Sequence, residues 1–324
     1  MSGPTLTWWG ASSVLIRHAG ASLAIDPYLH PEAADYVCLT REDWDHTHEP
    51  TLERIVSGER FEHLLAPPSC RVMSRLDAPV GDDPQDLQFV PPERLTLVEP
   101  RLARKTRRAE EPRRLGPFEV EAVASSEREQ PILLDGFLMH RWRPRDGRPW
   151  PAQSGRFLGG GRFLPLGYVV TLAGSGITVY HPGDLQETFD AHRELRGRID
   201  VMLFPSIMLE GVELTVLDNI RPRVIVPIHH RPDDASFPIP LEFDPAHAEV
   251  VDPERGLPRP GVSPEAFAQA RAAMHRGHWY ASVDPSLTRL HSLEPALREI
   301  GCELVLPNAG ESLPLERLRS SAGG

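Results

Sequence analysis

Short apolar runs broken by Gly, Pro and polar turns dominate this chain. Leu6–Trp9, Val14–Arg17 and Ser22–Ile25 are β-prone and are separated by Gly10 and by Ala19-Gly20, which predicts three strands joined by turns. Asp35–Thr40 (DYVCLT) is more continuously apolar and predicts a strand buried on both faces. It ends in a polar burst, Arg41-Glu-Asp-Trp-Asp-His46, ahead of a helix over Glu49–Val56. Phe118–Ala124 alternates as a strand, and Gly167–Leu172 with Gly176–Tyr180 predicts a hairpin. Ile199–Phe204 and Val224–Ile228 read as further buried strands, Pro264–His275 and Leu293–Ile300 as helices, and Glu303–Leu306 as a last strand. Both halves follow one plan, in which strand pairs lead to a buried strand and then to a polar tip. Polar side chains gathered where a buried strand ends are where α/β proteins keep their chemistry.

Between these elements the pattern fails in places. Arg101–Arg114 is dense in Arg, but Glu110 and Glu111 interrupt it, which favours a solvated loop over a nucleic-acid patch. His140–Gly161 has no periodicity; its Trp142 and Trp150 fit a lid over a site as well as a surface loop. We expect a single domain over 1–324, with insertions near 128–165 and 231–290.

Composition narrows the classes. Forty per cent hydrophobic and 25% charged residues in 324 allow a sizeable core and exclude a disordered tail protein. A net charge of −11 argues against wholesale nucleic-acid binding and against docking on anionic membranes. Cys38, Cys70 and Cys302 are odd in number and form no CxxC pair, so a reducing cytoplasm is the simplest home. The N-terminus lacks the pattern of a signal peptide, and no apolar run approaches the roughly 20 residues of a membrane span. A cytoplasmic protein acting on a small molecule is expected, with no nucleic-acid or membrane partner and with homo-oligomerisation left open.

Three strand-end clusters carry the candidate chemistry: Asp43, Asp45 and His46; Asp184; and His229. A divalent cation needs three or four N or O side chains from separate segments, with a position left for water or substrate. Taken singly these residues are weak signals. Asp26 before Pro27 reads as a turn residue, and His18, His63, His192 and His291 as surface or hydrogen-bonded structural residues.

In order and surroundings the motifs resemble the metallo-β-lactamase superfamily, in particular its lactonase-like branch, the one that includes L-ascorbate-6-phosphate lactonase. Thr7-Trp-Trp-Gly-Ala-Ser-Ser-Val-Leu-Ile-Arg is similar to that branch's opening hairpin, and Leu23-Ala-Ile-Asp26-Pro-Tyr to its "IDP" strand end. Leu39-Thr-Arg-Glu-Asp-Trp-Asp-His46 stands where the family has T-H-x-H-x-D-H. Tyr180-His-Pro-Gly-Asp184 resembles the segment of the bridging aspartate, Val226-Pro-Ile-His229 that of the last metal histidine, and Cys302–Ser312 the closing strand and turn. The resemblance implies an α/β fold, a four-layer αββα sandwich with the site at one edge of two facing sheets.

The departures are as informative. At the two H-x-H positions this chain has Arg41 and Asp43, and alignment of 116–127 puts Glu127 at a third histidine of the first metal site. Arginine has no lone pair to give, so the first site reads as dismantled. The second set survives as Asp45, His46, the shared Asp184 and His229, with Asp43 and Glu127 as further candidates and His48 and His230 as weaker ones. We expect the Arg41 guanidinium to stand near the missing cation with Asp43 and Glu127 as counter-charges, against the alternative that it swings to solvent. His181 is expected to shape the turn that presents Asp184.

The expectation is a hydrolase with one divalent transition metal (Zn, Mn or Fe), acting on an ester, lactone or phosphoester of a small anionic molecule. Asp45 or Asp184 would position the attacking water, and Arg41 would hold an anionic group of the substrate. The alternatives are a mononuclear non-haem iron oxygenase and a non-catalytic binding module on the same scaffold.

Overall fold

A computed structural model of the chain describes residues 3–10, 12–28, 32–41, 46–47, 49–67, 70, 89–98, 111–125, 130–131, 162–163, 166–185, 190–205, 212–229, 250, 261–263, 266, 293–307 and 310–321. The expected insertions, the expected helix over Pro264–His275 and the stretch His140–Gly161 fall wholly or mostly outside these residues.

Thr5–Gly10 (β1), Ser13–His18 (β2) and Ala21–Ile25 (β3) form an antiparallel meander. Tyr36–Cys38 (β4), His63–Ala66 (β5) and Leu95–Leu97 (β6) then extend it in parallel, with Glu49–Val56 (α1) as the crossover from β4 to β5. The second sheet repeats the plan. Arg113–Leu115 (β7), Phe118–Ala124 (β8), Leu166–Leu172 (β11) and Thr178–His181 (β12) are antiparallel. Val201–Pro205 (β13), Val224–Ile228 (β14) and Glu303–Leu304 (β15) continue it in parallel. Gln130–Pro131 (β9) and Arg162–Phe163 (β10) make a separate two-stranded ribbon. Near the end of the chain Ser312–Pro314 (β16) returns to the first sheet and pairs with β1.

Alternation along the strands sorts side chains into layers. Val14 and Ile16 of β2, and Tyr36 and Cys38 of β4, meet Phe118, Tyr168, Leu203 and Val226 in the core between the sheets. The intervening Leu15 and Val37 point the other way, onto Leu52 and Ile55 of α1. On the far face Val169, Met202 and Ile225 pack under Val216 and Leu217 of Val212–Ile220 (α3) and under Leu297 of the helix at 293–299 (α4). The order is helix, sheet, sheet, helix: the four-layer αββα sandwich expected from the sequence. Asp190–Glu194 (α2) packs against α3, and Leu315–Ser321 (α5) follows β16 and lends Leu315 and Leu318 to the inter-sheet core.

Two expectations change. The Arg-dense stretch read as a loop ends in a strand, because Leu115 is buried and β7 closes a hairpin on β8 around Gly116. The last strand is not Glu303–Leu306 but the shorter β15, followed by β16. All three cysteines are buried thiols. Among the described residues no helix is long and apolar enough to cross a membrane.

Candidate metal centre

The site forms where β3, β4, β12 and β14 end at one edge of the two sheets. Leu39 and Thr40 continue β4, and Tyr168 Oη donates to the Leu39 carbonyl (2.8 Å) while Leu166 N–H donates to the Thr40 carbonyl (3.0 Å). These bonds tie the two sheets together beside the site.

Asp26, at the end of β3, is fully buried in the left-handed region (φ 47°), which Asp tolerates better than most residues. Its carboxylate accepts from Thr40 N–H (2.7 Å) and Thr40 Oγ1 (2.6 Å), and lies 2.7 Å from Nδ1 of buried His46. An ionised carboxylate only accepts, so Nδ1 carries the proton and the Nε2 lone pair of His46 points the other way. It points at Asp184.

Asp184 is reached by a turn that admits only glycine at 183. Gly183 has φ +63°, and a Cβ there would lie 2.6 Å from the Leu166 carbonyl oxygen and 3.2 Å from Thr40 Cβ. Gly183 N–H donates to Nδ1 of His181 (3.1 Å), so the His181 proton sits on Nε2 and is donated to the Ser12 carbonyl (2.8 Å). Burial lowers the His181 pKa further, which keeps this tautomer neutral. The buried Ser125 hydroxyl donates to the Pro182 carbonyl and holds the same turn from β8.

The two oxygens of Asp184 face different partners. Oδ1 lies 3.1 Å from Nε2 of His46 and 2.9 Å from Nε2 of His229; Oδ2 accepts from Arg41 Nη1 at 2.8 Å. His229 follows β14 with φ 58°, is 2% exposed, and its ring centroid is 5.1 Å from that of His46. Burial alone would raise the Asp184 pKa, but the charges of His46 and His229, acting only while the imidazoles are protonated, and the permanent charge of Arg41 outweigh burial and lower the pKa.

A divalent cation fits this set. One donor atom from each of His46, Asp184 and His229 lies within 4.8 Å of the others, and both histidines are buried. A lone pair facing a carboxylate oxygen at this range is repulsive until a cation stands between them.

The structure thus brings together three of the four residues expected as ligands. Asp45, like Asp43, Glu127, His48 and His230, lies outside the described residues. Arg41 does not swing to solvent, and a described partner is Asp184; Asp43 and Glu127, expected as its counter-charges, lie outside the described residues. Its carbonyl is also held by Thr47 Oγ1 (2.6 Å). His181 shapes the Asp184 turn as expected. Asp26 is the residue the sequence reading passed over as a turn former, although it ends a strand in the "IDP" segment. His63 is remote, bonded to Thr96 (2.8 Å).

Residues 5–229 match the family model for a beta-lactamase superfamily domain, and the chain belongs to the metallo-β-lactamase superfamily. It is 24% identical over 239 residues to a UPF0173 protein of Pyrococcus abyssi, covering 69% of this chain and 82% of that protein. Among solved structures it is similar to CmlA, a diiron β-hydroxylase from Streptomyces venezuelae, with a TM-score of 0.52 and 15% identity over 97% of this chain. This chain spans 54% of CmlA, and the likeness is one of fold. Igni18, a metallo hydrolase from Ignicoccus hospitalis, gives a TM-score of 0.48 at 15% identity over 96% of this chain and 98% of its own.

Proposed function

We propose that the chain is a hydrolase using one divalent transition metal (Zn, Mn or Fe) held by His46, Asp184 and His229, with Asp45 as a further ligand. Its substrate is an ester, lactone or phosphoester of a small anionic molecule. The observation that carries the reading is the division of Asp184, with Oδ1 toward two imidazoles and Oδ2 on Arg41. A carboxylate that bridges two metals with one oxygen on each has no oxygen left for a guanidinium. Here a guanidinium, permanently protonated and without a lone pair, takes one.

A cation held there supplies Lewis acidity, lowering the pKa of water toward neutrality and polarising the scissile oxygen. The chain's own residues do the rest. Asp26 keeps the His46 lone pair turned inward, and Arg41 neutralises Asp184 on its outer oxygen. A guanidinium at this position would also hold an anionic group of the substrate. Asp45, next to His46 in sequence, positions the attacking water and takes its proton.

Two imidazoles and a carboxylate are also the ligand set of mononuclear non-haem Fe(II) oxygenases. That donor set favours oxidation as the second reading.

The test is metal analysis of protein purified without added metal, followed by assay of esters, lactones and phosphoesters and of O₂ uptake. One ion per chain with hydrolytic turnover supports the proposal. Two fully occupied ions about 3.5–4 Å apart would overturn the single-metal reading. Iron with O₂ consumption transfers the case to the oxygenase, and failure to bind metal even on reconstitution transfers it to a binding module.

A further inference from the structure

We infer that the end of the sandwich opposite the metal centre carries a second ligand site, a cleft that takes a small phosphate monoester. A cavity of about 560 Å³ opens there, within the size range of small-molecule sites. Tyr36 and His63 stand at the starts of parallel strands β4 and β5, whereas Thr40, Arg41 and His46 follow the end of β4. Among the described residues, none of His46, Asp184 and His229 lines the cleft.

Its chemistry is that of an anion site over an apolar floor. Arg113 and Arg114, both exposed, bring two guanidinium groups from β7, the ordered end of the Arg-dense stretch that the metal chemistry leaves unused. Opposite them, across the gap between the sheets, the half-buried His63 and Thr96 are joined by the bond between Nε2 and Oγ1. Burial and the charge of Arg113 lower the His63 pKa, so the positive charge of the cleft resides on the arginines.

The carboxylate among the lining residues is Glu62, and the Tyr36 hydroxyl donates to it. Burial of the ring and, after it, that contact push the Tyr36 pKa up to about 12, so the hydroxyl stays a donor near neutral pH. With Glu62 partly shielded in this way, the two arginines leave the cleft net positive. Leu65, Leu115 and the Tyr36 ring, all buried in the protein, supply an apolar floor for the rest of the molecule. Gly116 makes the wall close: it has φ +54°, and a Cβ there would lie 2.8 Å from Tyr36 Oη. Paired guanidiniums suit phosphate oxygens better than ammonium groups do, because their N–H donors lie in a planar fork.

The experiment is calorimetric titration of phenyl phosphate, and of inorganic phosphate, into the parent protein. The same titrations are run on the double variant Arg113→Ala/Arg114→Ala, on Glu62→Gln and on His229→Ala. We expect the parent to bind phenyl phosphate more tightly than inorganic phosphate. His229→Ala should retain this binding, the double variant should lose it by a factor of about 10 or more, and Glu62→Gln should tighten it. The proposal is overturned by a parent that binds neither probe, by binding that disappears in His229→Ala, or by a double variant that binds like the parent. Glu62→Gln, which keeps both arginines and an acceptor for Tyr36, gives an opposite-signed readout that a folding defect would not produce.

Discussion

Nδ1 of His46 lies 2.7 Å from Oδ2 of Asp26, and solvent reaches neither side chain. The pair fixes which imidazole nitrogen faces Asp184, so the effect of Asp26 on metal binding is exerted through His46. Asp26→Asn offers an amide that cannot accept from Thr40 N–H, Thr40 Oγ1 and His46 Nδ1 together. We expect metal affinity to fall by about 10- to 100-fold, the usual effect of losing such a partner. Competition titration with a chromogenic chelator measures it, with the thermal midpoint recorded alongside. Unchanged affinity would mean that His46 is oriented by something else.

His46→Ala and His229→Ala should each abolish binding of the single ion, while His63→Ala should bind it like the parent. Metal content after dialysis against a buffered metal concentration decides this. Parent-like content in either ligand variant would remove these residues from the site.

Arg41→His should leave the metal count at one and lower both activity and stability. The new imidazole lacks the permanent charge that now faces Asp184 Oδ2 at 2.8 Å, leaving a largely buried carboxylate under-compensated. The loss is expected to be a few kcal/mol, within the range for breaking a buried pair. A variant with unchanged midpoint and turnover would show that Arg41 is idle.

Gly183→Ala should be severe for so small a change. The methyl group meets the Leu166 carbonyl oxygen at 2.6 Å in a left-handed backbone, so the turn must move and carry Asp184 with it. We expect a cost of about 1–3 kcal/mol from the backbone strain alone, together with weakened metal binding. Chemical denaturation and metal titration of the same preparation test both.

His192 of α2 is buried, and burial lowers its pKa to about 4. Its folded pKa therefore lies below the unfolded value near 6.5. Between these values the unfolded state binds the extra proton, so stability is full above about pH 6.5 and falls as the pH drops toward 4. Up to about 3 kcal/mol is at stake, and His192→Leu should flatten that part of the stability–pH curve. A slope unchanged in the variant would assign the acid sensitivity to other groups.

What was legible in the sequence follows from how local each signal is. β8, β14 and α1 were read with their observed limits because each is a continuous run whose periodicity lies within itself. β5, β6 and β16 are not legible because, unlike β4, which lies within the longer apolar run Asp35–Thr40, each is a three- or four-residue piece whose place depends on its pairing partners. His46, Asp184 and His229, which the fold brings together, are legible as candidates because each follows a readable strand and each carries a metal-ligating group. Asp26 was passed over because Ile-Asp-Pro is also good turn chemistry, and nothing local announces a contact with His46. Arg41 was noticed as a departure, but its partner Asp184 stands 143 positions away and only the folded chain brings them together.

The pairing of β1 with β16, Thr5 opposite Pro314 and Thr7 opposite Ser312, bears on how the molecule is made. β1 receives one of its two neighbours only once the 305 positions that carry the chain from Thr7 to Ser312 have been made. Until then β1 is an open sheet edge, with backbone donors and acceptors free to recruit a strand from another nascent chain. The same closure comes late in folding, because joining such distant segments carries a large loop entropy. A ribosome stalled before Ser312 would thus release a sandwich with a sticky margin, and quality control has a physical feature by which to recognise it.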